Sequence, residues 1–121
     1  ISLLEENFKV NPQTAHKEID TVKKYIYENY DRELSIDILA EKVYMAPSYL
    51  SHVFKKETGQ NISKFIKSLR MEKAKQMLED THEKIVNISA RVGYPNVSYF
   101  CKSFREYYGV SPQKFRDEEE A

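Results

Sequence analysis

An internal repeat constrains this chain more than any other feature. Residues 48–65 laid over 98–115 match at six of eighteen positions: Ser48, Tyr49, Phe54, Gly59, Lys64 and Phe65 recur fifty residues on. Ordinary residue usage gives about one match over that length. Upstream, Ile36, Leu39, Ala40 and Val43 recur as Ile85, Ile88, Ser89 and Val92, at a separation of forty-nine. One residue has been inserted between the two matching blocks, where a turn tolerates it best. The repeat predicts two like units, each a helix, a short turn and a second helix.

Between the copies lies a stretch with helical spacing. From Ile62 the apolar residues fall at Ile62, Phe65, Ile66, Leu69, Ala74, Met77 and Leu78, with Lys64, Lys67, Lys73 and Lys75 mostly off that stripe. Recurrence at 3.6 residues marks an amphipathic helix. Asn61 or Ser63 can cap its start, and neither Pro nor Gly interrupts it. Residues 59–80 are read as one connecting helix, whose periodic part from Ile62 to Glu79 is roughly 27 Å long at 1.5 Å per residue.

Local signals set the other elements. Asn11-Pro12 opens a first helix that runs to about Tyr30, with Ala15, Ile19, Val22 and Ile26 on one face. A short second helix covers 36–43, started by Ser35 or Leu34. After the turn Tyr44-Met45-Ala46, Pro47 begins a third helix that stops at Gly59. Its inward residues are Leu50, Val53 and Phe54, which leaves Ser48, Ser51, His52, Lys55 and Lys56 on the outer face. In the second copy Thr81-His82-Glu83 is read as the opening of the fifth helix, which ends at Val92-Gly93. Asn96 caps the sixth. That helix turns Phe100, Ser103, Phe104 and part of Tyr99 inward, and shows Val97, Ser98, Cys101, Lys102 and Arg105 outward. Ser111-Pro112 starts a closing helix that returns Phe115 to the core.

The expected architecture is all-α: seven helices, with two helix-turn-helix subdomains joined by a long central helix. The boundaries follow as a linker at 1–13, a first subdomain at 14–60, the connector at 61–80, a second subdomain at 81–116 and an acidic tail at 117–121. Residues 1–10 carry Leu3, Leu4 and Phe8 among acids and could form a short amphipathic helix. The chain starts at Ile1 and is read as a piece of a longer protein. No apolar run approaches the length of a membrane span and no signal peptide opens the chain. The single Cys101 cannot form an internal disulfide, which suits a reducing compartment. The expectation is a soluble cytoplasmic protein with no membrane partner.

A formal net charge of zero conceals a division along the chain. Residues 1–41 hold five basic and nine acidic side chains, a balance of −4. Residues 42–116 hold fourteen basic and six acidic, a balance of +8, and 117–121 add four acids. A basic block spanning both repeats points to a polyanion more directly than the whole-chain average does. A Lys-rich solvated surface explains the same charge without a partner.

A helix, a three- or four-residue turn and a second helix with a polar, cationic outer face is the helix-turn-helix of DNA-binding proteins. The second helix enters the major groove, so its exposed residues must be small or hydrogen-bonding near the start and basic where phosphates pass. The base-edge candidates are Ser48, Ser51 and His52 in the first copy, and Asn96, Ser98, Cys101 and Lys102 in the second. Lys55, Lys56 and Arg105 lie further along the same helices, where phosphate is the expected contact. Arg70 is assigned to structure, pairing with an acid or capping a helix end. His16, His52 and His82 share no metal-ligand spacing, and a lone Cys without a placed base is a poor nucleophile. No catalytic residue, metal or cofactor is expected. The alternative is a non-enzymatic helical module that docks proteins.

The sequence resembles the tandem helix-turn-helix domain of AraC/XylS-type bacterial transcription regulators over residues 20–116. In the second copy the resemblance rests on Ile88, Val92-Gly93-Tyr94, Ser98-Tyr99-Phe100, Phe104-Arg105, Gly109, Ser111-Pro112 and Phe115-Arg116. In the first it rests on Leu39-Ala40, Val43, Met45, Tyr49-Leu50-Ser51, Phe54-Lys55 and Gly59, with Arg70 and Ala74 in the connector. It departs at Ala46, where the family has Ser, at Ser89, where it has Ala, and at His52, where many members have Arg. A neutral imidazole lacks Arg's bidentate contact to guanine. The resemblance implies a double-stranded DNA partner, an activating role through RNA polymerase, and a sensing or receiver domain ahead of this one. The connecting helix itself is expected to hold the two recognition helices about one DNA turn, near 34 Å, apart.

Overall fold

The computed structural model describes residues 12–120, so the reading of residues 1–10 lies outside the described residues. Seven helices and no strand occur among them. These are α1 Pro12–Asn29, α2 Ile36–Lys42, α3 Pro47–Thr58, α4 Ile62–Asp80, α5 Ile85–Arg91, α6 Val97–Tyr108 and α7 Pro112–Glu120. The backbone divides into two compact units. One comprises 12–28 with 34–64, and the other 29–33 with 65–120.

In the first unit α1 buries the expected face, Ala15, Ile19, Val22 and Ile26. The Ser35 hydroxyl caps α2 by accepting from the Ile38 N–H at 3.2 Å. Leu39, Ala40 and Val43 are buried from this side, and Leu50, Val53 and Phe54 from α3. Pro47 opens α3 and Gly59 closes it in the left-handed region at φ 83°, its N–H donating to the Lys55 carbonyl. Gly59 therefore terminates α3 and lies outside the connecting helix, which starts three residues later. Asn61 Oδ1 accepts from the Lys64 N–H at 2.8 Å and caps that start.

The second unit closes on Met71, Ala74, Leu78, Ile88, Val92, Tyr94, Phe100 and Phe104. Phe115 packs against this cluster from α7, edge-on to Phe104 with ring centroids 5.9 Å apart. Met71 is fully buried although the one-stripe reading of the connector omits it, whereas Phe65 and Met77 are only half-buried. The acidic residues at 117–120 continue α7.

The opening of α5 is a correction. The helix starts at Ile85, not at Thr81-His82-Glu83, and its N-cap Lys84 supplies no side-chain bond. Thr81 turns its hydroxyl back to the Met77 carbonyl (2.7 Å), and Glu83 accepts from the Asn87 side-chain amide (2.7 Å). The Glu83 carboxylate also accepts from the Lys84 N–H at 3.3 Å, so it binds beside the cap without bonding a backbone N–H inside the helix.

Two arginines anchor the loops that precede the two motifs. Arg70 donates from Nε to the Tyr30 carbonyl and from Nη2 to that of Arg32, both at 2.8 Å. Arg116 donates from Nη1 to Glu83 O at 2.6 Å and from Nη2 to Thr81 O at 3.2 Å. Each planar fork satisfies loop carbonyls just beyond a helix end, where no helical N–H reaches them.

Candidate nucleic-acid interface

The two turns share one hydrogen-bond pattern. After α2, the Met45 N–H donates to Ala40 O at 3.0 Å and the Tyr44 N–H to Glu41 O at 3.4 Å. After α5, Tyr94 donates to Ser89 O at 2.9 Å and Gly93 to Ala90 O at 3.1 Å. This double closure requires a left-handed residue at its centre. Gly93 takes it at φ 95° and Tyr44 at φ 56°. At Gly93 the absence of a side chain is doubly necessary. A Cβ there would lie 2.7 Å from the Tyr30 carbonyl and 2.9 Å from Arg70 Nε. Ser89 also does more than stay small, because its buried hydroxyl donates to Tyr94 O at 2.6 Å.

The extra residue of the second copy falls in this turn. Two residues lie between Val43 and the α3 cap Ala46, and three between Val92 and the α6 cap Asn96. The two caps differ in kind. Asn96 Oδ1 accepts from the Tyr99 N–H at 3.0 Å, whereas Ala46 offers no side-chain acceptor.

With both helices started, the helical period decides what faces out. On α3, Ser48, Ser51, His52, Lys55 and Lys56 are all exposed. On α6, Ser98, Lys102 and Arg105 are exposed and Cys101 is half-buried. Burial pushes the Cys101 thiol up from its ordinary value, which keeps it protonated. Fifty residues apart, the faces align as Ser48 with Ser98, Ser51 with Cys101, His52 with Lys102, and Lys55 with Arg105. Lys56 aligns with Glu106, so the first copy carries one more cation there. Asn96 is exposed at the head of the face, but its side-chain oxygen serves the cap and only its amide protons remain.

One aromatic side chain departs from the sequence reading. Tyr99 is 59% exposed and leans on Tyr94 at 5.8 Å between centroids, where a partly inward ring was expected. Val97, expected outward, is half-buried. Tyr44, in the turn ahead of α3, is 97% exposed. It aligns with Gly93 at the forty-nine-residue offset, a signal from which the left-handed position could have been read.

No group of three or more metal-ligating side chains forms among the described residues. No helix of the described residues is long and apolar enough to cross a membrane.

Comparison with known proteins agrees with this arrangement. A family model described as a helix-turn-helix domain matches residues 39–118. The chain is 36% identical over 100 residues to the Msm operon regulatory protein of Streptococcus mutans, covering 83% of this chain but only 36% of that protein's length. Among solved structures it is similar to the C-terminal domain of the two-component response regulator yesN from Fusobacterium nucleatum. That match has 34% identity and a TM-score of 0.78, over 80% of this chain and 95% of the other. It is also similar to the C-terminal domain of AraT, a response regulator from Geobacillus stearothermophilus, with 32% identity, a TM-score of 0.81 and 84% of each chain covered. With its duplicated motif, its exposed polar faces and these relatives, the chain belongs to the AraC/XylS family of transcription regulators, as their tandem helix-turn-helix DNA-binding domain.

Proposed function

We propose that the domain reads an operator by placing α3 and α6 in successive major-groove segments. Ser48, Ser51 and His52 meet base edges from the first copy, as do Asn96, Ser98, Cys101 and Lys102 from the second. Lys55, Lys56 and Arg105 take phosphates. The observation that carries this reading is the pair of equivalent helices with exposed polar faces that turn cationic along their length. In this reading the connecting helix is a spacer between the motifs, with subdomains at 14–60 and 81–116. The whole protein is an activator that engages RNA polymerase in the cytoplasm. A receiver domain precedes this one, a reading supported by the similarity to two response-regulator C-terminal domains. The domain itself carries out no catalysis.

Salt dependence tests it. Each phosphate neutralised by Lys or Arg contributes a slope of about −0.9 to log affinity against log salt. Several such contacts from the +8 block at 42–116 give a steep fall between low and physiological salt. A flat titration removes the DNA face and favours a protein-docking module.

A further inference from the structure

Tyr44 is costly in place and unused within the chain. Its position closes α2 in the left-handed region that side chains avoid and Gly93 fills in the second copy. Packing does not offset that cost, because the ring is 97% exposed. A bulky residue kept in an unfavoured backbone conformation, with its side chain in solvent, is a mark of function. The phenol borders an open hollow of about 410 Å³, lined also by Tyr25, Ile38, Glu41 and Lys42. The Lys42 ammonium lies 4.9 Å from the Tyr25 ring centroid.

Chain position points to the partner. Tyr44 is three residues ahead of Pro47, so it belongs to the approach to the first turn of α3. A helix whose leading residues meet base edges sits in a groove about 12 Å wide, walled by phosphates. Residues just ahead of that helix stand at the groove's rim, where tyrosine hydroxyls commonly donate to phosphate. Ala46 supplies no capping oxygen at the same end, and Lys42 is exposed beside the turn. Glu41 is the one acid bordering the hollow.

We infer that Tyr44 is a further DNA-binding residue, its phenol hydroxyl donating to a backbone phosphate beside the groove segment that α3 occupies. This rests on the DNA reading proposed above. The donor is uncharged and the contact is sequence-independent, which separates it from the lysines and from the base-reading residues.

The test compares Tyr44→Phe and Tyr44→Gly with the unaltered chain on two duplexes. One is the tightest binder selected from a randomised pool, the other an unrelated duplex of equal length. Tyr44→Phe should weaken binding about ten- to one-hundred-fold on both, the value of one hydrogen bond to a charged acceptor. Its salt slope should stay at the unaltered value, because a phenol releases no counterion. Tyr44→Gly should lose at least as much affinity while its melting temperature holds or rises, since glycine relieves the left-handed strain. Unchanged affinity in Tyr44→Phe overturns the contact, whether the ring serves a protein partner or nothing. A loss confined to the selected duplex overturns the phosphate assignment. Absence of salt-dependent binding by the unaltered chain overturns the DNA reading itself, a result distinct from the other two.

Discussion

Lys102 and Lys56 separate reading from holding. Lys102 stands on α6 where His52 stands on α3, at mid-helix, whereas Lys56 lies in the last turn of α3. Lys102→Ala should cost about 1–3 kcal/mol and relax preference at one base position. Lys56→Ala should weaken all sequences alike and lower the salt slope by about one. Titration against a selected duplex and its single-base variants measures both, and equal losses without a change of preference would refute the sorting. His16 supplies a pH dependence in the first unit. Its ring bonds the Glu57 carboxylate of α3 and lies 3.3 Å from Asp20. The Glu57 bond, then the charges of Asp20 and Glu57, raise its pKa above the ordinary 6.5. A raised folded value makes this contact stabilising in full below pH 6.5, and the contribution is lost as pH climbs through the folded value. His16→Ala should therefore narrow the difference in melting temperature between acidic and mildly alkaline buffer; an unchanged difference assigns that pH dependence elsewhere. The outer face of α3 was legible residue by residue because a 3.6-residue period leaves no other exposed set. The exposure of Tyr99 was not, because a ring resting on a neighbour's edge counts as apolar in sequence yet stays in water.

Helix ends were legible where a side chain or a glycine marks them. Pro47, Gly59, Asn96 and Gly109 each stand at a bound of α3 or α6. The start of α5 carried no such mark, since Thr81 bonds back to α4 and Glu83 holds the helix start from outside it, through the Lys84 N–H and the Asn87 side chain. Met71 was missed for a related reason: a single stripe cannot describe a helix that contributes residues to both compact units. Arg116 shows what holds an unmarked helix start. Its two bonds to the carbonyls of Glu83 and Thr81 pin α7 to the loop ahead of α5. Arg116→Ala should lower stability by about 1–3 kcal/mol, the cost of leaving such carbonyls without donors. Arg116→Lys should recover only part, because one ammonium cannot reproduce a planar fork. Urea midpoints at constant slope measure both, and an alanine variant with the unaltered midpoint would show that water replaces the guanidinium freely.

For the whole molecule the proposal makes the connector a spacer. A 19-residue α4 is about 28 Å long at 1.5 Å per residue, short of the roughly 34 Å turn of DNA. If the helix fixes the motif spacing, the duplex bends, at about 1–6 kcal/mol, or one recognition helix disengages. Flexible pyrimidine–purine steps between the two contacted segments are then favoured. Inserting Gly-Gly beside Lys73 should uncouple the two half-contacts while each motif still folds. Footprint length and affinity read the outcome, and no change in either would make the connector passive. The repeat was legible as two motifs because identical residues recur at fixed offsets, but the sharing of parts between them was not. The backbone at Tyr30 and Arg32, just after α1, is held by Arg70 and lies against Gly93, within the second unit. The duplication is consequently not a pair of interchangeable parts. A chimaera that took its second motif from a relative by a cut anywhere in 34–69 would bring in a guanidinium and a glycine shaped to another protein's carbonyls. Exchange of binding specificity between members should accordingly succeed by regrafting the exposed residues of α6, and fail by swapping the half-domain unless residues 29–33 travel with it.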